Sequence, residues 1–395
     1  MRPLCLILGA GIFAVFCVQA QSVVQPDAKY LDRTKPKLPE IGWPYLVGKP
    51  GNKMLTRDEV VFPVAGGFEV LKADFHAHTI YSDGQVTPEV RVWEAWRDGL
   101  DLIAITDHHE FLDLAIPQDR QRANGKVRDL ARQLNILLPV SSELTTIHSG
   151  KPPHNDYIVS LIEDEQALNT NVFASFKAAR DQNGVIIWAH PGPDWSKYAE
   201  ELHAMGWLDG IELRNTQTAA GSGTGYVNNA SFYTHVLDWC LKKNLAIITS
   251  SDAHWPIDHM IDRSRGERRD MTLLLVRSHN LDGVREAIRS RRTVAYFGGM
   301  LWGAEQWVKS IADSAFEVRL LRGIAGTGMR SDALEIENRS SFAFETRVSL
   351  LNGIGSVRAE IYRMAPLSRT TIPVILNTEK QDAEKGDASG LQARF

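Results

Sequence analysis

From Lys72 onward, short apolar runs bounded by polar residues alternate with longer stretches whose apolar residues recur at helical spacing. "LKADF" leads into a helical pattern from Thr87, "LIAIT" into one over 119–134, and "ILLPVSSE" is followed by one over 172–183 closed by Gly184. "VIIWAH" precedes a helix over 197–205, "GIEL" one over 229–243, "LAIITSSD" a loop, and "TLLLV" a helix over 281–291. This alternation predicts an α/β fold with a mainly parallel sheet. Six or seven such units in about 225 residues suit a distorted barrel of the TIM type. At the first helix Thr87 is a candidate cap, Pro88 suits the first position, Glu89 favours the positive end and Gly99 can end it.

The flanks have a different texture. Residues 21–68 are rich in Pro, Lys and Gly without sustained periodicity, which predicts an irregular arm laid over a main domain at 69–303. After Gly303, "FEVRLL", "ALEIENR", "FETRVSLL" and "VRAEIYRM" alternate apolar and polar residues, and "TTIPVIL" follows. These runs predict a small antiparallel β domain over 304–378. Residues 379–395 are polar and predict a disordered tail.

With 395 residues, 44% hydrophobic and 23% charged, a soluble globular protein is expected. The first twenty residues depart from that average: Arg2, an apolar run to Val18, then the small-residue pattern Val18-Gln19-Ala20. They predict a cleavable export signal over 1–20, a periplasmic or secreted mature protein from Gln21, and no stable membrane span. Lipid attachment at Cys17 is the weaker alternative, because bulky Phe16 precedes it. Cys5 and Cys17 fall in the signal, so Cys240 has no partner for an internal disulfide and reads as a buried small hydrophobe. Loss of Arg2 shifts the net charge from −4 to −5, with 43 basic against 48 acidic residues. No basic stripe appears and "RSRGERR" is interrupted by Glu267, which argues against nucleic acid as a partner. The oligomeric state is not legible.

Ionisable residues gather at the downstream edges of the predicted strands. Phe75 leads into His76 and His78, "LIAIT" into Asp107, His108 and His109, "ILLPVSS" into Glu143, "VIIWA" into His190, and "LAIITSS" into Asp252 and His254. In a parallel α/β barrel those edges share one face. One such histidine is an ordinary partly buried polar residue. Five strand ends carrying imidazole or carboxylate would be costly to bury together without the compensating charge that divalent cations supply. Residues i and i+2 of a strand point to one side, so His76 and His78 can serve one ion, and Asp252 and His254 repeat that spacing. Imidazole and carboxylate without thiolate suit zinc, manganese or iron at a catalytic centre. His154 precedes its apolar run, and the ten residues between it and Glu143 are too few for a parallel crossover. The chain is therefore expected to double back there, with His148 the competing ligand choice.

"HAH" with downstream "SDG", then "TDHH", "SELTT", "HNDYIV", "AHPG" and "SDAH", resembles the PHP (polymerase and histidinol phosphatase) domain over residues 72–295. "WLDGIELRN", "SDAHWPID", "RRTVAYFGGMLWGAEQWV" and the β-rich tail are similar to the exported bacterial phosphodiesterases of the Sb-PDE family. The resemblance implies a distorted seven-stranded β/α barrel and three divalent ions. His76, His78, Glu143 and Asp252 would hold the first; Glu143 would bridge to a second held by His154 and His190; Asp83, His108 and His254 would hold the third. In "SDG", Asp83 is then the ligand and Gly84 relieves the turn, while Asp107 orients a ligand from behind.

The implied chemistry is metal-assisted hydrolysis of a small phosphate ester, a diester by the closer resemblance. Asp252 belongs to the catalytic group through its metal. His109 and Glu110 are candidate proton donors to the leaving group, and Arg214 can pair with phosphoryl oxygens. "GSGTG" at 221–225 lacks the P-loop lysine and reads as a flexible loop. "DHH" names another phosphoesterase family whose further Asp-rich motifs are missing. A monoesterase, a nuclease and a non-catalytic metal-binding protein are the alternatives.

Overall fold

The computed structural model describes residues 57–111, 122–146, 155–168, 171–219, 230–263, 267–298, 300–326, 329–348, 355–357 and 361–376. The predicted signal, most of the arm and the tail lie outside them.

Ten strands and seven helices come first: β1 (Glu69–Asp74), α1 (Pro88–Arg97), β2 (Leu102–Ile103), α2 (Arg122–Gln133), β3 (Val140–Thr146), β4 (Asn155–Ile162), α3 (Val172–Asp181), β5 (Val185–Ala189), α4 (Lys197–Ala204), β6 (Gly210–Asn215), a short α5 (Thr216–Ala219), α6 (Ala230–Lys243), β7 (Ala246–Ser250), β8 (Met271–Val276), α7 (Leu281–Arg289), β9 (Thr293–Phe297) and β10 (Met300–Gly303). They build a mixed α/β fold with two five-stranded sheets, ordered β10-β9-β8-β1-β2 and β3-β4-β5-β6-β7. Helix α8 (Glu305–Ala315) leads into β11 (Phe316–Gly326), β12 (Met329–Asn338), β13 (Phe344–Arg347), β14 (Gly355–Val357), β15 (Ile361–Met364) and β16 (Ser368–Leu376). These form a sheet ordered β11-β12-β16-β14 and a β13-β15 ribbon, antiparallel throughout.

The sheets are less parallel than the alternation predicts. β1–β2, β5–β6 and β6–β7 are parallel, whereas β3–β4, β4–β5, β1–β8, β8–β9 and β9–β10 are antiparallel. Connection length accounts for two of these pairs: eight residues between β3 and β4 and two between β9 and β10 are too few for a parallel crossover. The expected doubling back after Glu143 is present, with Glu143 opposite Ile158. Among the described residues no closed barrel forms. Isolated parallel bridges approach one: His108 to Glu143 and Leu102 to Leu137 on one side, Ala77 to Ala253 on the other.

The sheets close over a common apolar interior, where Leu71, Ala73 and Phe75 cluster with Ile158, Ile187, Ile248 and Leu274. A second cluster joins α1, α2 and α8 to the C-terminal strands through Trp96, Val127, Ile311, Phe316, Ile336 and Phe344. Residues 57–68 run between these layers: Arg57 donates to the carbonyls of Trp96 and Leu100, and Ser341 bonds Val61 and Glu59. Pro88 stands at the start of α1 as expected, but the Thr87 side chain makes no cap hydrogen bond. Gly99, at φ +79°, ends the helix; a Cβ there would lie 2.5 Å from the Asp58 carbonyl oxygen.

Candidate metal centre

β1 stops at Asp74, and His76 and His78 continue beyond its edge on one side of the chain, their Nε2 atoms 3.0 Å apart. From β3, Glu143 Oε2 comes within 3.1 Å of His76 Nε2 and 3.2 Å of His78 Nε2. Two residues past β7, Asp252 Oδ1 lies 3.3 Å from each. Tetrahedral coordination with bonds of about 2.0–2.1 Å to imidazole and carboxylate separates ligand atoms by about 3.3 Å. The separations of the His76 and His78 Nε2 atoms from each other, from Glu143 Oε2 and from Asp252 Oδ1 therefore already match those of one ion's shell. Asp252 Oδ1 is buried yet accepts no well-formed hydrogen bond, as expected of an oxygen aimed at a cation.

Two further groups share residues with this one. His190 Nε2 is 3.2 Å from Glu143 Oε1, so the two oxygens of Glu143 face different partners, as a bridging carboxylate would. Asp83 folds back over the first pair, with Oδ1 3.3 Å from His78 Nδ1 and Oδ2 3.1 Å from His254 Nε2 and 3.7 Å from His108 Nε2. Donor atoms of His78, Asp83, His108 and His254 lie within 4.8 Å of one another, as do those of His76, Glu143 and His190, and of His76, His78 and Asp252. Eight of the nine predicted ligands thus converge. The ninth, His154, and its competitor His148 lie outside the described residues. Asp156, two positions further along β4 from His154, was not anticipated; its Oδ2 is 3.7 Å from His190 Nε2 and its Oδ1 has no hydrogen bond.

The charges in this cluster are strongly coupled. Burial works against a charged imidazole, but Glu143 and its fellow carboxylates outweigh it: His76 is raised well above its usual range, and His108 and His190 are pushed up to about 10. Burial likewise opposes ionised Glu143 and Asp252, and the surrounding imidazoles, His76 foremost, hold both well below the carboxylate range. Protons on the rings balance the carboxylates here; divalent cations would replace those protons.

Local backbone fixes the geometry. His190 and Asp252 have positive φ, +23° and +52°, a conformation that non-glycine residues adopt at a cost and that gathers at functional sites. Gly84 is required for space: a Cβ would sit 2.6 Å from the His78 carbonyl carbon and the Thr79 nitrogen. Asp107 grips the same turn, accepting from Thr79 N, Thr79 Oγ1 and Ser82 Oγ, each at 2.7 Å, so it braces the loop that carries Asp83.

Sequence reasoning missed Glu212. It is buried in β6, with Oε1 3.2 Å from His76 Nδ1, and Oε2 accepts from the His190 backbone at 2.9 Å and from Asn215 Nδ2 at 3.1 Å. Asn215 Nδ2 also reaches Asp252 Oδ2 at 3.1 Å. The only signal was a lone carboxylate within "GIEL".

Three further candidates have these surroundings. Arg214 pairs with Asp270 at 3.3 Å and lies 5.0 Å above the Phe297 ring. Glu110 is 3.3 Å from His108 Nδ1; burial opposes its charge, but His108 holds it below the usual carboxylate range, so it has no proton to give at neutral pH. His109 begins the 3-10 turn His109–Phe111, with Arg122 Nη1 3.2 Å from its Nδ1.

No protein-family model matches the chain, and no curated protein matches it. Among solved structures, a two-domain protein from Bacteroides vulgatus that contains a predicted PHP-like metal-dependent phosphoesterase superposes with a TM-score of 0.68. It is 29% identical over 82% of this chain and 91% of its own. The chain is similar to a PHP-like phosphoesterase. A metal-dependent phosphoesterase from Bifidobacterium adolescentis superposes with a TM-score of 0.36 at 15% identity, over 55% of this chain and 95% of its own. The described residues include no helix long and apolar enough to cross a membrane.

Proposed function

We propose that the chain is an exported metal-dependent phosphoesterase, closest in kind to the Sb-PDE phosphodiesterases, that hydrolyses small phosphodiesters at a centre of three divalent ions. The observation that carries this reading is the convergence of His76, His78, Glu143 and Asp252 at coordination spacing beside two overlapping ligand groups. The Bacteroides protein supports the reaction class. Zinc, manganese or iron bound there would supply the Lewis acidity that yields a nucleophile from water at neutral pH and offsets charge on phosphoryl oxygens.

The chain's own residues do the rest. Glu212 fixes His76 with Nε2 toward the centre, Asn215 steadies Asp252, and Glu143 joins two groups through its two oxygens. His154 completes the second group in this reading. With the Arg122 donor on Nδ1, His109 is the neutral Nε2–H tautomer, able to hydrogen-bond a leaving oxygen; to protonate the alkoxide it would first have to take up a second proton and release Arg122. In the same reading the domain over 69–303 is a distorted seven-stranded barrel, the isolated bridges marking where strand pairing lapses. Residues 1–20 act as a cleaved signal, and 304–378 form the β domain.

The test is metal analysis of the purified mature protein with bis(p-nitrophenyl) phosphate and p-nitrophenyl phosphate assayed side by side. Turnover of neither under varied metal loading rejects the hydrolase. Preference for the monoester rejects the diesterase refinement alone. N-terminal sequencing of the exported product, expected to begin at Gln21, tests localisation.

A further inference from the structure

Arg91, in the first half of α1, is fully buried and directs its donors at backbone. Nε donates to the His78 carbonyl at 2.8 Å, Nη2 to that of Ala253 at 2.7 Å and Nη1 to that of Trp255 at 2.9 Å. Among the described residues its carboxylate partner is Glu94, 2.7 Å away, whose other oxygen accepts from Ile257 N at 2.8 Å. Ala253 and Trp255 flank His254, so the guanidinium holds the peptides on both sides of that ligand as well as that of His78. The two loops meet again where His78 N donates to Ala253 O at 2.9 Å and Gln85 N to His254 O at 2.7 Å.

A buried cation beside a cluster suited to cations is electrostatically unfavourable, so its presence needs a geometric reason. A lysine would place one compact charge there; only the arginine fork reaches three carbonyls on two loops at once. We propose that Arg91 is a positioning residue for the ion site formed by His78, Asp83, His108 and His254. The inference rests on reading the cluster as a metal centre. His76 is held separately, by Glu212 on Nδ1 and by Asp74 on its backbone N–H at 3.2 Å, so losing Arg91 should spare the His76–Glu143–His190 group.

The experiment compares wild type, Arg91→Lys, Arg91→Ala and, as a control, a half-buried arginine of the same helix, Arg97→Lys, after dialysis against buffered Mn2+ or Zn2+. Bound ions are counted, each affinity is measured, and thermal unfolding of the metal-free proteins is followed in parallel. Arg91→Lys is expected to bind one ion, that of the His78, Asp83, His108 and His254 site, about tenfold or more less tightly, the usual scale for a residue behind a ligand. Millimolar guanidinium should restore that ion to Arg91→Ala, and Arg97→Lys should match wild type. Wild-type metal affinities in Arg91→Lys, whatever its melting temperature, overturn the proposal, as does failure of both Arg91 variants to fold, which marks Arg91 as scaffold. Wild-type protein that binds no metal refutes the metal centre itself, a separate failure.

Discussion

Glu212 Oε1 lies 3.2 Å from His76 Nδ1, on the side of the imidazole away from the Nε2 atom that faces Glu143 and Asp252. That carboxylate–imidazole pair sets the ring's tautomer and raises its basicity toward a cation. Glu212→Gln keeps the shape and removes the charge. It is expected to weaken metal binding about 10–100-fold with little change in apo-protein stability, read by metal titration and apo melting temperature. Unchanged affinity would show that His76 needs no such support.

Metal binding should release protons. In the metal-free cluster the carboxylates overcome burial to raise His108 and His190 to about 10, and both rings carry protons at pH 7.5. A ligand must give up its proton, so affinity should rise with pH and fall steadily as pH drops below neutrality. Calorimetry in buffers of differing ionisation enthalpy should report proton release at pH 7.5. A chelator should lower the melting temperature and added metal restore it, by about 2.7 kcal/mol per ion held at a hundredfold excess over Kd. Asp252→Ala should abolish that metal-dependent increment; a variant that still shows it refutes the assigned shell.

What the sequence made legible was the donor set, because strand-edge position and i, i+2 spacing are local properties. His76, His78 and Asp83 come from one eight-residue stretch, and their convergence follows from a strand end and a turn. Glu212 was hidden because its role depends on β6 standing beside the ends of β5 and β7, a tertiary relation no window reveals. Arg214 was equally beyond a local window: the register shift between Glu212 and Arg214 breaks their simple alternation, and its pairing with Asp270 is a tertiary contact. Helix α8 was readable and passed over, since Trp307, Val308, Ile311, Ala312 and Ala315 recur at helical spacing. Thr87 and Pro88 mark the helix start, but only the second acts as the pattern suggests.

Arg214→Ala separates two roles. If Arg214 binds phosphoryl oxygens, kcat/KM falls at least tenfold with stability unchanged. The pairing with Asp270 predicts the reverse: near-normal turnover and a stability loss of about 1–3 kcal/mol. Burial raises Asp270 to about 7 against the opposing pull of Arg214. Its folded value exceeds the unfolded one, so its contribution is lost as pH rises, and removing Arg214 extends that loss upward. The penalty should be larger at pH 8.5 than at pH 6, measured by urea denaturation.

Glu165 supplies a pH-dependent penalty away from the metal ligands. It is buried beside Asn124, whose Nδ2 donates to Oε2 at 3.0 Å, with Arg122 Nε 4.0 Å from Oε1. Burial raises this carboxyl to about 7, Arg122 and Asn124 offsetting it only in part. Between roughly pH 4.5 and 7 the folded protein then holds a proton that the unfolded chain has lost, so stability falls as pH rises across that window. The full cost is on the order of 3 kcal/mol above pH 7. Glu165→Gln resembles the protonated acid and should remove this slope: the two proteins match near pH 4.5, and the variant is more stable at pH 8. Denaturant unfolding at both pH values measures it. A variant less stable than wild type at pH 8 would mean that Glu165 is ionised there and that its attraction to Arg122 outweighs burial.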